Sequence, residues 1–371
     1  MASELDEKTE RLQRMLDREN LGGVLLNAQH NFAWLTGGSS NGIDLSRENG
    51  AAYLLVRSDG KRFLLANNIE MPRLLAEEIS ADDFEPVDLT WQDEKASGNF
   101  VIEKANALLT NGEIVTDITI DAAIKAVEGK IARCRFSLTA DEEARYRIHG
   151  RDAGIAVRNV IDSLTPGETE IEIAEKLRHE FALTGMASVV TLVAADERIA
   201  QYRHPVPTAK RWEKMVMLVT CAKRRGLITS LTRIVSIGEV PDEVKQKTEA
   251  AAYVNACLMD ASRLGATGAE LYKAAADAYA AKNSANEINR HHQGGAAGYK
   301  TREWVAHPAN TEIVQPNQAF AWNPSITGTK VEETCIATEN GVEIITPSPD
   351  FPQITTLVNG REYSSPGILS L

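Results

Sequence analysis

Residues 164–172 read LTPGETEIE, and residues 264–270 return to the same pattern as LGATGAE. In each stretch a glycine ends one helix and a Thr-x-x-Glu capping box opens the next. The helix before the first stretch is itself opened by such a box at residues 139–142, and its counterpart begins near Pro241. A unit that recurs after about a hundred residues, each time followed by strand-like segments, predicts two structurally related α/β halves. Two unrelated helical hairpins would be the alternative.

The first third of the chain is organised differently. Apolar side chains recur at a helical spacing from Leu5 to Leu16, and Gly22-Gly23 is expected to stop this helix before a strand at residues 24–26. The further predicted elements are strands at residues 51–57 and 62–66 and helices near residues 70–78 and 99–110. We therefore predict a small α/β domain over residues 1–137 and a second domain over residues 138–371.

Composition excludes several classes of partner. The chain has 371 residues and a net charge of −12, which argues against nucleic acid or an anionic membrane surface as a partner. Its N-terminus is polar, and no segment approaches the roughly 20 apolar residues of a membrane span. The four cysteines are scattered without a Cys-x-x-Cys pair, which disfavours a disulfide framework or a zinc knuckle. We expect a cytoplasmic protein.

Three segments carry a resemblance to a known family. They are a predicted strand hairpin at residues 218–233, a glycine-rich run at residues 291–299 and the stretch of residues 322–334. Together they resemble the pita-bread family of creatinases, aminopeptidases P and prolidases, peptidase family M24. The resemblance implies an α/β protein with a small N-terminal creatinase-like domain, followed by a C-terminal pita-bread domain with two α/β halves related by a pseudo-twofold axis.

The resemblance also locates the positions at which metallopeptidases of this family hold two metal ions. These positions fall on Val219, Ser230, Gly295, Asn323 and Glu332. Val219 and Gly295 supply no side-chain ligand, and Ser230 is a weak neutral one. A divalent transition metal needs several charged or imidazole ligands, so one remaining carboxylate is not enough for a dinuclear site. We expect no metal and no other cofactor.

Creatinase, a family member that works without metal, supplies candidate catalytic residues. The stretch RHPVP at residues 203–207 resembles the creatinase segment with the catalytic histidine, which makes His204 the candidate general base. Glu332 matches a creatinase glutamate that contacts the substrate, and Thr232 stands where creatinase has another. The structural alternatives are a loop histidine with an ordinary hydrogen bond and an exposed strand carboxylate.

Other polar residues are candidates for substrate binding, namely His291, His292, Gln293 and Arg302. Arg302 either binds a substrate carboxylate or pairs with Glu303 on the surface. Arg47 lies in a stretch that resembles the part of creatinase whose arginine reaches the substrate in the partner subunit. The resemblance therefore implies a homodimer with shared sites, an exposed loop arginine being the alternative.

The leading hypothesis is a metal-independent hydrolase that cleaves a C–N bond in a small carboxylate-bearing guanidino, amidino or amino-acid-like substrate. One alternative is a hydrolase of the Xaa-Pro dipeptidase or aminopeptidase type. Others are a lyase and a catalytically silent protein that binds a small molecule or another protein. Fold alone does not choose among these functions.

Overall fold

The computed structural model describes residues 3–121 and 124–371, which form two compact units, Met1–Phe136 and Ser137–Leu371. The N-terminal unit contains a mixed five-stranded sheet of order β4-β3-β2-β1-β5, in which the pairs β1–β5 and β3–β4 are parallel. Its strands are β1 (Gly23–Ala28), β2 (Asn49–Arg57), β3 (Arg62–Asn67), β4 (Glu85–Leu89) and β5 (Ile114–Thr116). Its helices are α1 (Glu4–Glu19), α2 (Gln29–Leu35), α3 (Met71–Arg73, continued by a π-helical turn at Leu74–Glu78), α4 (Trp91–Ala96), α5 (Phe100–Ala107) and α6 (Glu128–Arg135).

The end of helix α1 differs from the prediction. Ser3 caps its start by accepting a hydrogen bond from the Asp6 backbone N–H, and Asn20 closes it in the left-handed conformation with φ 54°. The helix therefore ends before Gly22-Gly23. Gly22 has a packing role instead, since a Cβ at that position would lie 1.9 Å from the carbonyl oxygen of Asn111.

The C-terminal unit is built from two copies of one arrangement. Its helices are α7 (Ala140–Asp162), α8 (Glu170–Leu183), α9 (Arg198–Gln201), α10 (Asp242–Ala261) and α11 (Gly268–Ala281), with a 3₁₀ turn at Ala285–Asn289. Its strands are β6 (Ala187–Ala195), β7 (Met215–Arg224), β8 (Leu227–Ser236), β9 (Gly294–Ala297), β10 (Trp304–Val305), β11 (Gln318–Trp322), β12 (Ser325–Ile326), β13 (Thr329–Lys330), β14 (Glu333–Thr338), β15 (Gly341–Ile344), β16 (Gln353–Val358), β17 (Arg361–Pro366) and β18 (Ile368–Ser370). Along the described chain, none of the helices combines the length and apolar character needed to cross a membrane.

The repeated halves follow the sequence pattern. The first half is the pair α7–α8 followed by the antiparallel strands β6, β7 and β8, and the second is the pair α10–α11 followed by β9, β11 and β14. The capping boxes of Thr139, Thr169 and Thr267 form in full, with both reciprocal hydrogen bonds. Helices α7 and α8 cover their sheet through apolar side chains such as Val157 on α7 and Phe181 on α8. The predicted α/β fold is thus confirmed.

The two main sheets of this unit meet along the middle of strand β8. The hairpin turn has Arg225 at φ 49° and Gly226 at φ 83°, as a two-residue type I′ connection requires. Further along β8, the backbone N–H of Thr232 donates to the carbonyl of Glu332 at 3.2 Å. Two residues earlier, the N–H of Ser230 donates to the Thr334 hydroxyl at 2.7 Å. Segments from both halves are therefore joined where the predicted site residues lie.

A buried histidine on α7 should make the protein less stable in acid. His149 contacts the Ala222 carbonyl and the Thr229 hydroxyl through Nε2, both at 3.0 Å, and its Nδ1 has no hydrogen-bond partner among the described residues. Burial lowers the pKa of His149 from 6.5 to about 4. Because the unfolded chain binds this proton more tightly, stability should be constant above pH 6.5 and fall by up to about 3 kcal/mol as the pH drops from 6.5 to 4.

Urea unfolding of the wild type and of His149→Gln between pH 7.5 and pH 4 measures this contribution. The variant should lose less stability over that interval than the wild type. An identical pH dependence in the two proteins would show that His149 does not contribute.

Candidate active site

A cavity of about 310 Å³ in the C-terminal unit brings several predicted residues together. Its polar walls are formed by His204, His292, Arg302, Asn323, Lys330 and Glu332. Val190, Leu192 and Val219 form an apolar side. A concave site with a few convergent polar groups is the usual form of a small-molecule site.

Glu332 is the most constrained of these groups. It is 2% exposed. Its Oε2 lies 2.8 Å from Lys330 Nζ, and its Oε1 lies 3.3 Å from Arg302 Nη2. The Thr232 hydroxyl donates a third hydrogen bond at 2.6 Å. Burial by itself would raise the pKa of Glu332, but Lys330 and Arg302 outweigh it and keep the pKa below its usual value. The site thus contains a buried carboxylate anion between two fixed cations.

Three histidines form a cluster beside this ion-paired group. His204 Nε2 and His291 Nε2 are 3.2 Å apart, and the rings of His291 and His292 have centroids 4.7 Å apart. Burial and the charge of Lys330 lower the pKa of His291 to about 2, while burial and Arg302 lower that of His292 to about 4. Burial and Lys330 also lower the pKa of His204. These shifts favour the neutral form of all three imidazoles at pH 7.

Hydrogen bonds outside the cavity hold the cluster in place. His291 Nδ1 contacts the Ser325 hydroxyl at 3.2 Å, and His292 Nδ1 accepts from the Gly294 backbone N–H at 3.3 Å. The loop that carries His204 is tied to strand β6, because the carbonyl of Pro205 accepts from the Val193 N–H at 3.2 Å.

The remaining predicted residues have other surroundings. Gln293 is buried, and its side-chain amide already has hydrogen-bond partners. It donates to the His291 carbonyl and accepts from the Tyr279 hydroxyl at 2.6 Å. Thr232 touches Glu332 rather than the cavity. Arg302 pairs with Glu332, so the surface pair with Glu303 is not what the structure shows. Arg47 belongs to the N-terminal unit, and its role in a dimer stays a prediction.

The positions that the resemblance assigns to metal ligands are occupied as follows. Val219 presents an apolar side chain, and the Ser230 hydroxyl is 3.2 Å from the Cys221 sulfur. Gly295 lies between two strands, where a Cβ would be 2.0 Å from the Trp304 carbonyl oxygen. An imidazole at this position would require strand β10 to move.

Two functional features were missed in the sequence. Lys330 is 6% exposed and lies in the cavity wall. Its position two residues before Glu332 was a usable signal, because alternate residues of an extended segment point to the same side. Asn323 was considered only as a lost ligand, yet its Oδ1 is buried in the cavity wall with no hydrogen-bond partner among the described residues.

Comparison with known proteins places the chain in a family. Metallopeptidase family M24 matches residues 144–345, which is more than half of the chain, and the Creatinase/Prolidase N-terminal domain matches residues 8–116. An Xaa-Pro dipeptidase of Pyrococcus horikoshii is 21% identical over 355 residues, covering 92% of this chain and 97% of the relative. An uncharacterized peptidase of Bacillus subtilis, YqhT, is 24% identical over 238 residues, covering 62% of this chain and 67% of the relative.

The structural comparison agrees. The crystal structure of the prolidase from Pyrococcus horikoshii OT3 has a TM-score of 0.77 at 19% identity, covering 92% of this chain and 98% of that chain. These matches confirm the predicted N-terminal creatinase-like and C-terminal pita-bread folds, and they support the prediction of an enzyme that acts on C–N bonds. The chain belongs to metallopeptidase family M24.

Proposed function

We propose that this chain hydrolyses a C–N bond in a small carboxylate-bearing molecule and does so without the two metal ions that its family name implies. The observation that carries the proposal is the neutral His204 in a cavity whose remaining carboxylate, Glu332, is already neutralised by Lys330 and Arg302. Lys330 and Arg302 would supply the positive charge that metallopeptidases obtain from their metal ions.

The donor set at the family positions does not fit a dinuclear centre. Val219 and Gly295 supply no ligand atom, and the backbone around Gly295 leaves no room for one. Glu332 is engaged by two cations, so a metal ion would have to displace them and then bind beside their positive charge.

In the proposed reaction His204 is the general base. In the tautomers that this role requires, His204 Nε2–H would donate to His291 Nε2 and His291 Nδ1–H would donate to Ser325, so that the lone pair of His204 Nδ1 would accept the proton. Nδ1 takes this proton from water as the water oxygen bonds to the substrate carbon. When the C–N bond breaks, His204 returns the proton to the leaving nitrogen.

The other polar groups would bind the substrate and stabilise developing charge. Lys330 and Arg302 would stabilise the negative oxygen that forms as water adds, and Glu332 would hold both cations in place. Asn323 Oδ1 would accept a hydrogen bond from a substrate N–H. This assignment makes Glu332 a positioning residue instead of a direct ligand of the substrate nitrogen.

The charge and size of the cavity favour a substrate class. Two cations and one carboxylate give the walls a net charge of +1 when the histidines are neutral, which suits a small anion. A volume of about 310 Å³ fits an amino-acid-sized or dipeptide-sized molecule. Among such molecules the comparisons favour Xaa-Pro dipeptides, because the Pyrococcus horikoshii relative that matches 92% of this chain is an Xaa-Pro dipeptidase.

A substrate panel with and without chelator tests the proposal. It should contain Xaa-Pro and other dipeptides, N-carbamoyl and N-amidino amino acids, and guanidino acids, with consumption followed by mass spectrometry. At least one compound should be consumed at the same rate after chelation. Turnover that chelation abolishes and Mn²⁺ or Co²⁺ restores would contradict the metal-free mechanism, and binding without consumption would indicate a silent binding protein.

We further propose a homodimer in which Arg47 contributes to the partner's site by binding the substrate carboxylate, for which a guanidinium is suited. Arg47→Ala should raise KM more than it lowers kcat, because such an anchor contributes similarly to ground and transition states. Mixing Arg47→Ala with His204→Ala chains should restore activity, since each mixed dimer regains one intact site. An active monomer, or no recovery in verified mixed dimers, would show that Arg47 does not act across an interface.

A further inference from the structure

The three-histidine cluster has a property that hydrolysis does not require. His204, His291 and His292 each present a ring nitrogen, and these three nitrogens lie within 4.8 Å of one another. Imidazole nitrogen is a preferred ligand of zinc and similar divalent ions, and three histidines make a complete protein ligand set for one such ion. None of the three stands at a position that the resemblance assigns to a metal ligand.

The geometry of one pair already suits chelation. At a metal–nitrogen distance of about 2.0–2.1 Å, two nitrogens of a tetrahedral site lie roughly 3.3 Å apart. His204 Nε2 and His291 Nε2 are 3.2 Å apart. An ion between them would take the place of the proton on His204 Nε2, and this proton would move to His204 Nδ1.

The surroundings of His291 support the same role. Its Nδ1 faces the Ser325 hydroxyl at 3.2 Å, so Nδ1–H can donate outward while Nε2 keeps its lone pair. A hydrogen bond of this kind from the remote ring nitrogen is the usual support of a metal-bound histidine. His204 and His292 are exposed, which gives an ion from solvent access to the cluster.

We propose that His204, His291 and His292 bind a single divalent ion of the zinc type, and that the loaded form is inhibited. The ion would occupy a nitrogen of His204, so that His204 could no longer accept a proton from water. Binding is independent of the proposed function, whereas inhibition rests on it.

Two features of the site set the affinity. The Gly294 N–H donates to His292 Nδ1 at 3.3 Å, so binding through His292 Nε2 would cost this long hydrogen bond. The charges of Lys330 and Arg302 oppose a cation, and Glu332 compensates one of them. We therefore expect reversible binding that tightens when a neighbouring cation is removed.

The test uses tag-free, chelator-treated full-length protein titrated with Zn²⁺ by calorimetry and with Co²⁺ by visible absorption. One ion should bind per chain, and Co²⁺ should produce the d–d bands of a low-coordinate nitrogen site. His204→Ala and His292→Ala should each weaken binding at least about 100-fold. The exposed His179→Ala on α8 is the matched control and should leave binding unchanged.

Lys330→Gln should tighten Zn²⁺ binding several-fold, which a non-specific surface site would not do. Thermal unfolding without metal checks that the variants are folded. Absence of saturable binding, or binding that survives both His204→Ala and His292→Ala, would overturn the inference.

The two proposals fail separately. Zn²⁺ that binds and inhibits a chelator-insensitive activity supports both. Zn²⁺ binding with no turnover on any substrate supports the metal site and contradicts the proposed function. Activity that appears only with Zn²⁺ leads to the same two conclusions. Chelator-insensitive turnover without saturable Zn²⁺ binding supports the hydrolase and overturns the metal site.

Discussion

His204→Ala should lower kcat/KM for the identified substrate by about 10²- to 10⁴-fold, the range that general-base catalysis contributes. The side chain is exposed at the cavity, so its removal should leave the thermal unfolding midpoint close to that of the wild type. His179→Ala, which removes an exposed histidine on helix α8, is the matched control and should keep wild-type kinetics.

Free imidazole should partly restore the activity of His204→Ala, because the deletion leaves room in the cavity for a replacement base. Steady-state kinetics with increasing imidazole measure this rescue. Wild-type kinetics in the His204→Ala protein would contradict the assignment of His204 as the base.

Lys330→Met should lower kcat by about 10²- to 10³-fold, because it removes a fixed positive charge from the place where negative charge develops. It also leaves Glu332 with Arg302 as its remaining cationic partner among the described pairs, and breaking a buried ion pair costs about 3–5 kcal/mol of stability. Denaturant unfolding and steady-state kinetics should thus both change. Lys273→Met on α11, which removes an exposed lysine, is the control.

The double variant Lys330→Met/Glu332→Gln separates the two effects. It removes both charges of the pair, so it should recover part of the lost stability but none of the lost turnover. Glu332→Gln alone should harm both binding and rate, because Lys330 and Arg302 lose the carboxylate that positions them. Activity that recovers together with stability would show that Lys330 has only a structural role.

Much of the fold could be predicted because its signals are local. A capping box joins residues three positions apart, so the starts of α7, α8 and α11 were readable from Thr139, Thr169 and Thr267. The end of α1 was predicted wrongly, because Asn20 provided the left-handed C-cap before the chain reached Gly22. Either residue type can close a helix, so the sequence alone did not distinguish Asn20 from Gly22 as the cap.

The candidate site was less readable. His204 and Glu332 were found because short segments around them resemble a known family, but the partners of Glu332 were not. Lys330 was overlooked, although its spacing from Glu332 placed both on one side of an extended segment. The resemblance identifies Asn323 only as a lost metal ligand, whereas the burial of its Oδ1 without a hydrogen-bond partner among the described residues depends on the folded cavity.

The two-domain α/β fold, the repeated helix pairs and the chemical groups available to the site could all be predicted from the order of residues. These follow from hydrogen bonds within a few residues and from apolar periodicity, which the order of residues specifies directly. Two contacts could not be predicted from the order of residues: His204 lies 3.2 Å from His291, and Arg302 joins Lys330 in holding Glu332. The reason is that these contacts depend on how strands from both halves pair, since residues far apart in the chain meet only after the sheets have joined.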